Sequence, residues 1–357
     1  MKVATIVGTR PELIRLSVLI PKLDKACEHI LIHTGQNYDP NLNDIFMKEL
    51  GIRNPNYNLG ATGSFGEQLA KMAAPLEAIL LAEKPDAFLV LGDTNSSLGA
   101  IIAKRLGIKV FHMEAGNRCY DDRVPEEVNR RIIDHSSDIL LPYTERSRTN
   151  LLSEGIESKR IYVTGNPILE VLLEYQSEIE SSTIIDKLEL TPGNFFLITL
   201  HRAENLDDPV RVKKFVAAFN ALAKKYRKPI IWSAHPRTQP HLNNHPFREE
   251  IVATKPLGLF DFVQLERNAL CVLTDSGTVQ EECAIFGIPV VTLRDTTERP
   301  ETIETGSNYI SGCEPESILR GVELALNTTG DAPAEYLEED VSDKVLKIVT
   351  GYNHVAR

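Results

Sequence analysis

The chain has 357 residues, enough for two domains, and its 42% hydrophobic and 25% charged residues are the balance of an ordinary globular protein. A formal charge of −11 and a pI near 5.4 argue against a nucleic-acid backbone as partner, while leaving room for local arginines to hold a phosphorylated small molecule. The five cysteines are scattered without a CxxC pair, the start MKVATIVGTRP is too quickly charged for a signal peptide, and no apolar run reaches the ~20 residues of a membrane span. A cytoplasmic protein with no disulfide framework, no structural zinc and no membrane contact is expected.

In chain order, strands and helices alternate. Residues 2–7 read as a strand, and 11–23 as a helix carrying Leu13, Leu16, Leu19, Ile20 and Leu23 on one side. Strands follow at 30–34, 87–91, 109–113, 139–141 and 160–163, with helices at 65–81, 101–106 and 125–135. After Gly165-Asn166-Pro167 a helix runs towards residue 176, and 177–183 is a polar stretch. Strands resume at 195–200, 229–233, 270–274, 289–293 and 309–311, with a helix at 279–286 and a last one at about 341–352. This pattern predicts an α/β protein of two Rossmann-like domains, residues 1–168 and 169–338, with parallel sheets covered by helices. In such sheets ligands sit beyond the carboxyl ends of the strands, so two domains with facing strand ends would form one central cleft.

The segment 275–301, DSGTVQEECAIFGIPVVTLRDTTERPE, carries the most chemistry. Strand, Ser276-Gly277 turn and helix would aim backbone N–H groups and a helix dipole at one point, a seat for phosphate. Arg294 and Arg299 leave the next strand beside it, and Glu282 could accept both hydroxyls of a ribose. Gly8-Thr9-Arg10-Pro11-Glu12, with Arg15 one turn later, is a helix cap or a phosphate or sugar seat. Asp93 is an N-cap or an acid. Glu114 ends a buried strand and must be paired or functional. Glu126 and Arg130, four apart on one helix face, are a helix ion pair or an acid with its cation. His201 and His235, each followed closely by an arginine, fit diphosphate ligands or acids for a leaving phosphate. With no HxH, HExxH or Asp-rich cluster, and no GxSxG around Ser276, neither a metal site nor a Ser/His/Asp triad is expected.

GTRPE at Gly8, TGQ at Thr34, GDT at Gly92, EAG at Glu114, PEEVNR at Pro125, TGN at Thr164, HRAEN at His201, DSG at Asp275, QEE at Gln280 and RDTTERPE at Arg294 span almost the whole chain. Together they resemble the non-hydrolysing UDP-N-acetylglucosamine 2-epimerases. The resemblance implies a glycosyltransferase-B-like fold, no metal or other cofactor, a UDP-sugar as the small-molecule partner, usually a homodimer, and a final segment 339–357 that returns to the first domain. It implies inversion at C2 by elimination and re-addition of UDP. It casts Asp93, Glu114 and Glu126 as acids and bases, Arg130 as the cation positioning one of them, and His201 as an aid to departing UDP. It places Arg10, His235, Ser276, Gly277 and Arg299 on the diphosphate, Glu282 at the ribose and Phe262 near the uracil, with Arg15 and Thr278 as further substrate-binding positions.

The chain departs from the family pattern at several positions. Arg15 replaces the usual lysine, Asn117 a common leucine, and Thr278 a second glycine. His235-Pro236-Arg237 replaces histidine-leucine-asparagine, and Asn37 stands where a histidine usually follows TGQ. This is similar to the branch that epimerises UDP-linked 6-deoxy-N-acetylhexosamines towards UDP-N-acetyl-L-fucosamine. UDP-N-acetylglucosamine is the first-choice substrate, and a hydrolysing epimerase or a glycosyltransferase of the same fold are the other readings.

Overall fold

The computed structural model describes residues 1–36, 47–233, 238 and 245–352. His235 and Asn37 therefore lie outside the described residues. The chain forms two compact units, Met1–Glu174 with Glu335–Arg357, and Tyr175–Ala334.

In the first unit β1 (Lys2–Val7), β2 (Glu28–His33), β3 (Tyr57–Asn58), β4 (Ala87–Leu91), β5 (Lys109–Met113) and β6 (Ile139–Leu141) make one parallel sheet in the order β3-β2-β1-β4-β5-β6. The strands are near-continuous apolar runs because helices cover both faces; every residue of β4 is buried. The second unit repeats the plan with β7 (Phe196–Thr199), β8 (Ile230–Ser233), β9 (Ile251–Thr254), β10 (Cys271–Thr274), β11 (Val290–Thr292) and β12 (Asn308–Ile310). Its order is β12-β11-β10-β7-β8-β9, also parallel. Each order is the doubly wound one, with its switch point between β1 and β4 or between β7 and β10.

The helices are cut by local signals. Ser64 and Glu67 form a capping box for Phe65–Glu83, which ends at left-handed Lys84. Asp208 caps Pro209–Tyr226, whose Phe215 and Phe219 stack on each other while Phe219 meets Trp232 of β8 edge-on at 5.2 Å. Deleting such a buried ring costs about 3–5 kcal/mol. The last helix, Val341–Gly351, buries Val341, Val345 and Val349 and packs on Leu19–Ala26. There Lys22 Nζ donates to Ser342 Oγ (2.6 Å), Asp343 (2.7 Å) and Glu170 (3.2 Å).

Four sequence expectations need correction. The helix at 11–23 is two, Arg10–Leu16 and Leu19–Ala26, divided where the Ser17 hydroxyl turns back onto the Ile14 carbonyl. Residues 160–163 form no strand; only Ile161 bridges to Leu140. The helix towards residue 176 stops at Glu174, and the polar stretch holds a second short helix, Gln176–Glu180, which buries Ile179. Glu145–Ser153, Pro209–Tyr226, Leu259–Asn268, Pro315–Asn327 and the strands β3 and β9 are additional elements.

Candidate active site

The acids of the first unit leave neighbouring strands in the same direction. Gly92 N donates to Met113 O (3.0 Å), so Asp93 after β4 and Glu114 after β5 emerge side by side. Glu114 has φ +65°, a left-handed conformation costing a non-glycine residue roughly 1–3 kcal/mol. Glu114 is 9% exposed, and donors stand around its carboxylate. Asn117 Nδ2 donates to Oε1 (3.1 Å), while Tyr143 OH lies 3.5 Å and Arg15 Nη1 3.8 Å from Oε2. Arg15 itself is buried, its guanidinium 5.5 Å from the centre of the Tyr143 ring.

Arg130 does not pair with Glu126. Its Nε and Nη2 donate to Asp93 Oδ2 (3.0 and 2.6 Å), and Nη1 donates to Glu127 (2.8 Å). The reason is geometric. Glu127, one helical turn before Arg130, is fully buried and accepts the backbone N–H groups of Cys119 and Tyr120 as well. Burial alone would raise the Glu127 carboxyl, but the Cys119 N–H and the Arg130 charge outweigh it and hold it below the ordinary range. Glu126, half-buried on the same helix, makes no hydrogen bond or ion pair to the described residues. A second buried set backs this site: Asp134 accepts from Arg118 (2.8 Å) and Gly116 N (3.1 Å) and faces His112 Nδ1 (2.8 Å), whose Nε2 meets Gly92 O (2.9 Å).

The Gly8-Thr9 turn is a cap. Glu12 accepts Gly8 N, Thr9 N and the hydroxyls of Thr9 and Thr94, all within 2.7–2.9 Å, so those two backbone donors are engaged inside the protein. Burial pushes the Glu12 carboxyl up to about 7 against the pull of these donors. Arg10 beside it is half-buried.

In the second unit the switch point is tied by Asp275, fully buried after β10. It accepts His201 N (3.0 Å), Arg202 N (2.9 Å) and Asn205 Nδ2 (3.2 Å), and lies 3.1 Å from His201 Nδ1. Burial would raise Asp275, yet His201 and Arg202 hold it well below the usual carboxylate range. Ser276 precedes the helix Gly277–Phe286 without using its side chain as a cap. A Cβ on Gly277 would come 3.1 Å from Glu298 Oε1 and 3.7 Å from the Arg299 guanidinium, so the turn and Arg299 are direct neighbours. Arg299 is 3% exposed, and its Nε donates to the buried Glu281. Arg202 (2.9 Å) and Arg294 (2.6 Å) converge on Glu298.

Thr278 and Glu282 follow on the helix, and Phe262 is half-buried on Leu259–Asn268, against the cluster of Phe195, Leu265 and Val279. Glu282 neighbours Glu266, which is fully buried. Burial, then the Glu282 charge, push the Glu266 carboxyl well above its ordinary value. Neither Glu266 oxygen meets an N–H or hydroxyl donor among the described residues, so a proton held by Glu266 and donated to Glu282 satisfies the pair.

Sequence reasoning thus missed Asn117, Glu127, Tyr143, Glu266 and Glu281. Two had a signal: Glu127 its i,i+3 spacing to Arg130 inside PEEVNR, and Asn117 its place where the family commonly has leucine. Among the described residues no cluster of three His, Cys, Asp or Glu could hold a metal, and no helix is long and apolar enough to cross a membrane.

A family model described as UDP-N-acetylglucosamine 2-epimerase matches residues 22–350. The chain is 41% identical to the UDP-N-acetylglucosamine 2-epimerase of Methanocaldococcus jannaschii, covering 98% of this chain and 99% of that one. The crystal structure of that archaeal enzyme in complex with UDP-GlcNAc and UDP aligns with a TM-score of 0.92 over 98% of this chain and 100% of the other. The UDP-N-acetylglucosamine 2-epimerase structure from Rickettsia bellii aligns at 0.93 with 41% identity, covering 99% and 97%. The UDP-2,3-diacetamido-2,3-dideoxy-D-glucuronate 2-epimerase of Pseudomonas aeruginosa is 37% identical over 92% of this chain and 93% of its own. Because the match runs through both units and the identity holds nearly end to end, the chain belongs to the UDP-N-acetylglucosamine 2-epimerase family.

Proposed function

We propose that the protein is a non-hydrolysing epimerase that interconverts UDP-N-acetylglucosamine and UDP-N-acetylmannosamine. The observation that carries this reading is its 41% identity, over 98% of the chain, to an enzyme of that name. The chemistry explains why such a site needs several carboxyls. The C2 proton has no neighbouring carbonyl and is not acidic. Departure of UDP from C1 builds positive charge there and makes the C2 proton removable, leaving a glycal. Return of a proton to the opposite face, and of UDP to C1, completes the inversion.

In this reading Asp93, Glu114 and Glu126 move protons, with Arg130 holding Asp93. His201, set by Asp275, assists departing UDP. Ser276, Gly277, Thr278, Arg299 and Arg10 bind the diphosphate, and His235 is assigned there from sequence alone. Arg15, lying against Glu114 and Tyr143, serves the acid side as much as the phosphate. Glu282 takes the ribose and Phe262 the uracil. The protein would work as a cytoplasmic homodimer without a cofactor; light scattering checks the dimer.

Incubation with UDP-N-acetylglucosamine alone in deuterated water tests the reading. Appearance of the manno epimer with deuterium at C2 is expected. Free sugar with UDP would instead indicate a hydrolysing enzyme. The 37% identity to the Pseudomonas enzyme favours one second reading, the same inversion on a more substituted UDP-hexose. Turnover of a diacetamido-uronate or 6-deoxy substrate, with UDP-N-acetylglucosamine inert, would establish that class.

A further inference from the structure

Behind the acids of the first unit, His112 of β5 joins the ends of two strands. It is fully buried, and each ring nitrogen faces an oxygen that can only accept. Nδ1 stands 2.8 Å from Asp134 Oδ1, and Nε2 stands 2.9 Å from the Gly92 carbonyl oxygen. Asp134 is an ionised acceptor, because it also takes Arg118 Nη1 at 2.8 Å and Gly116 N at 3.1 Å. Burial would raise its carboxyl, but His112 and Arg118 hold it below the ordinary range. The ring therefore donates from both nitrogens. Gly92 is gripped twice by the same strand, since its own N–H donates to Met113 O at 3.0 Å. Asp134 lies on Pro125–Ser136, one turn beyond the Arg130 that forks onto Asp93.

We propose that His112 is a positioning residue for the acid pair. By donating from both ring nitrogens it ties the Gly92 carbonyl, one residue before Asp93, to the carboxylate that holds Gly116, two residues after Glu114. This rests on the reading of Asp93 and Glu114 as proton-moving groups. Gly92 (φ +70°) and Glu114 (φ +65°) are both left-handed, and at Glu114 such a conformation persists only where the surroundings over-determine it. They do so on both sides of Glu114: its own N–H donates to Leu141 O at 3.1 Å, and Asp134 fixes Gly116. A Cβ on Gly92 would lie 3.5 Å from Glu114 Oε2, so moving the Gly92 peptide changes the space beside that carboxylate directly. The charges around the ring balance. Arg118 joins Asp134 to Glu154, which it grips at 2.7 and 2.6 Å, so a ring carrying both protons completes a set of two cations and two anions.

The test compares His112→Phe, His112→Gln, His112→Asn and Glu114→Gln by steady-state kinetics, C2 deuterium exchange and UDP binding. Phenylalanine keeps the ring shape without a donor; a glutamine amide puts an N–H near the Nε2 position, an asparagine amide near Nδ1. His112→Phe should lower kcat and C2 exchange about tenfold or more, with KM and UDP affinity within about twofold. His112→Gln should recover most of that loss and His112→Asn little, because Asp134 keeps Arg118 and Gly116 in either variant while only the longer amide reaches Gly92. Proton NMR should show two ring N–H signals that vanish in His112→Gln. Unchanged circular dichroism and UDP stoichiometry show that both units are folded; if His112→Phe does not fold, His112→Gln against His112→Asn decides. A normal kcat in His112→Phe beside an inactive Glu114→Gln, a His112→Asn as active as His112→Gln, or a single ring N–H signal overturns the inference alone. Normal exchange in Glu114→Gln overturns both the inference and the reading beneath it.

Discussion

Arg130 donates from Nε and Nη2 to one oxygen of Asp93, at 3.0 and 2.6 Å. The fork is aimed by Glu127, whose buried carboxylate takes the remaining nitrogen at 2.8 Å. A residue that a sequence reader would pair with Glu126 therefore holds Asp93. Removing it has two separable effects. Arg130→Met leaves Glu127 charged and buried without its main counter-charge, which should cost about 3–5 kcal/mol of unfolding free energy. The double variant with Glu127→Gln should lose clearly less than the sum of the single losses, measured in urea. Additive losses would show that the two side chains are energetically independent.

Glu114→Gln should keep UDP affinity within a few-fold and slow C2 exchange with deuterated water by ~10²-fold or more. The isosteric amide preserves the packing against Tyr143, so the loss reads as chemistry. Near-normal deuterium incorporation would remove Glu114 from the mechanism.

Arg299 joins the helix-start turn, through its closeness to Gly277, to the buried Glu281. Lysine keeps the charge but cannot hold Glu281 and present a planar fork at once. Arg299→Lys should weaken UDP binding by ~1–3 kcal/mol in calorimetry. An unchanged dissociation constant would place Arg299 in the scaffold only.

Glu12 predicts a stability slope. Its folded value, about 7, lies above its ordinary 4.5, so the folded state binds the proton more tightly. Below about pH 4.5 both states are protonated and the folded state has its full stability; as pH rises towards 7 that stability is lost, up to about 3 kcal/mol. Unfolding free energies from pH 4 to 8 should therefore fall in the wild type relative to Glu12→Gln. Parallel curves would mean the donors around Glu12 fully offset its burial.

Substrate activation is expected to be absent. Family members carry a histidine after TGQ, whereas Asn37 cannot carry positive charge and Asp39 adds a negative one nearby. Gln36 and Gln68 are engaged internally, with Ser96 and with Asn95 and the Gly63 carbonyl. Initial rates starting from the manno epimer should be hyperbolic and unmoved by trace UDP-N-acetylglucosamine. A lag abolished by that addition would reveal an activating site.

The sequence by itself determined the central strands, because a strand buried on both faces is a near-continuous apolar run, as 87–91 is, whereas the edge strands β3 and β9 lack that signal. It also placed Asp93, Glu114, His201 and Ser276 at strand ends, since each follows such a run directly. The Pro209–Tyr226 helix was not read from the sequence, although the cap at Asp208 and the apolar spacing of Val212, Phe215, Val216 and Phe219 are visible in it. What only the tertiary structure decided is who partners whom. Strand order brings β4 beside β5 and so sets Asp93 beside Glu114, although 21 positions separate them in the chain. Asn117 reaches Glu114 because Ser147, from a helix 30 residues on, turns its amide. Arg130 turns to Asp93 because Glu127 is the buried neighbour and Glu126 is not. Such choices depend on which charges lose their water together, and desolvation is a property of the packed molecule.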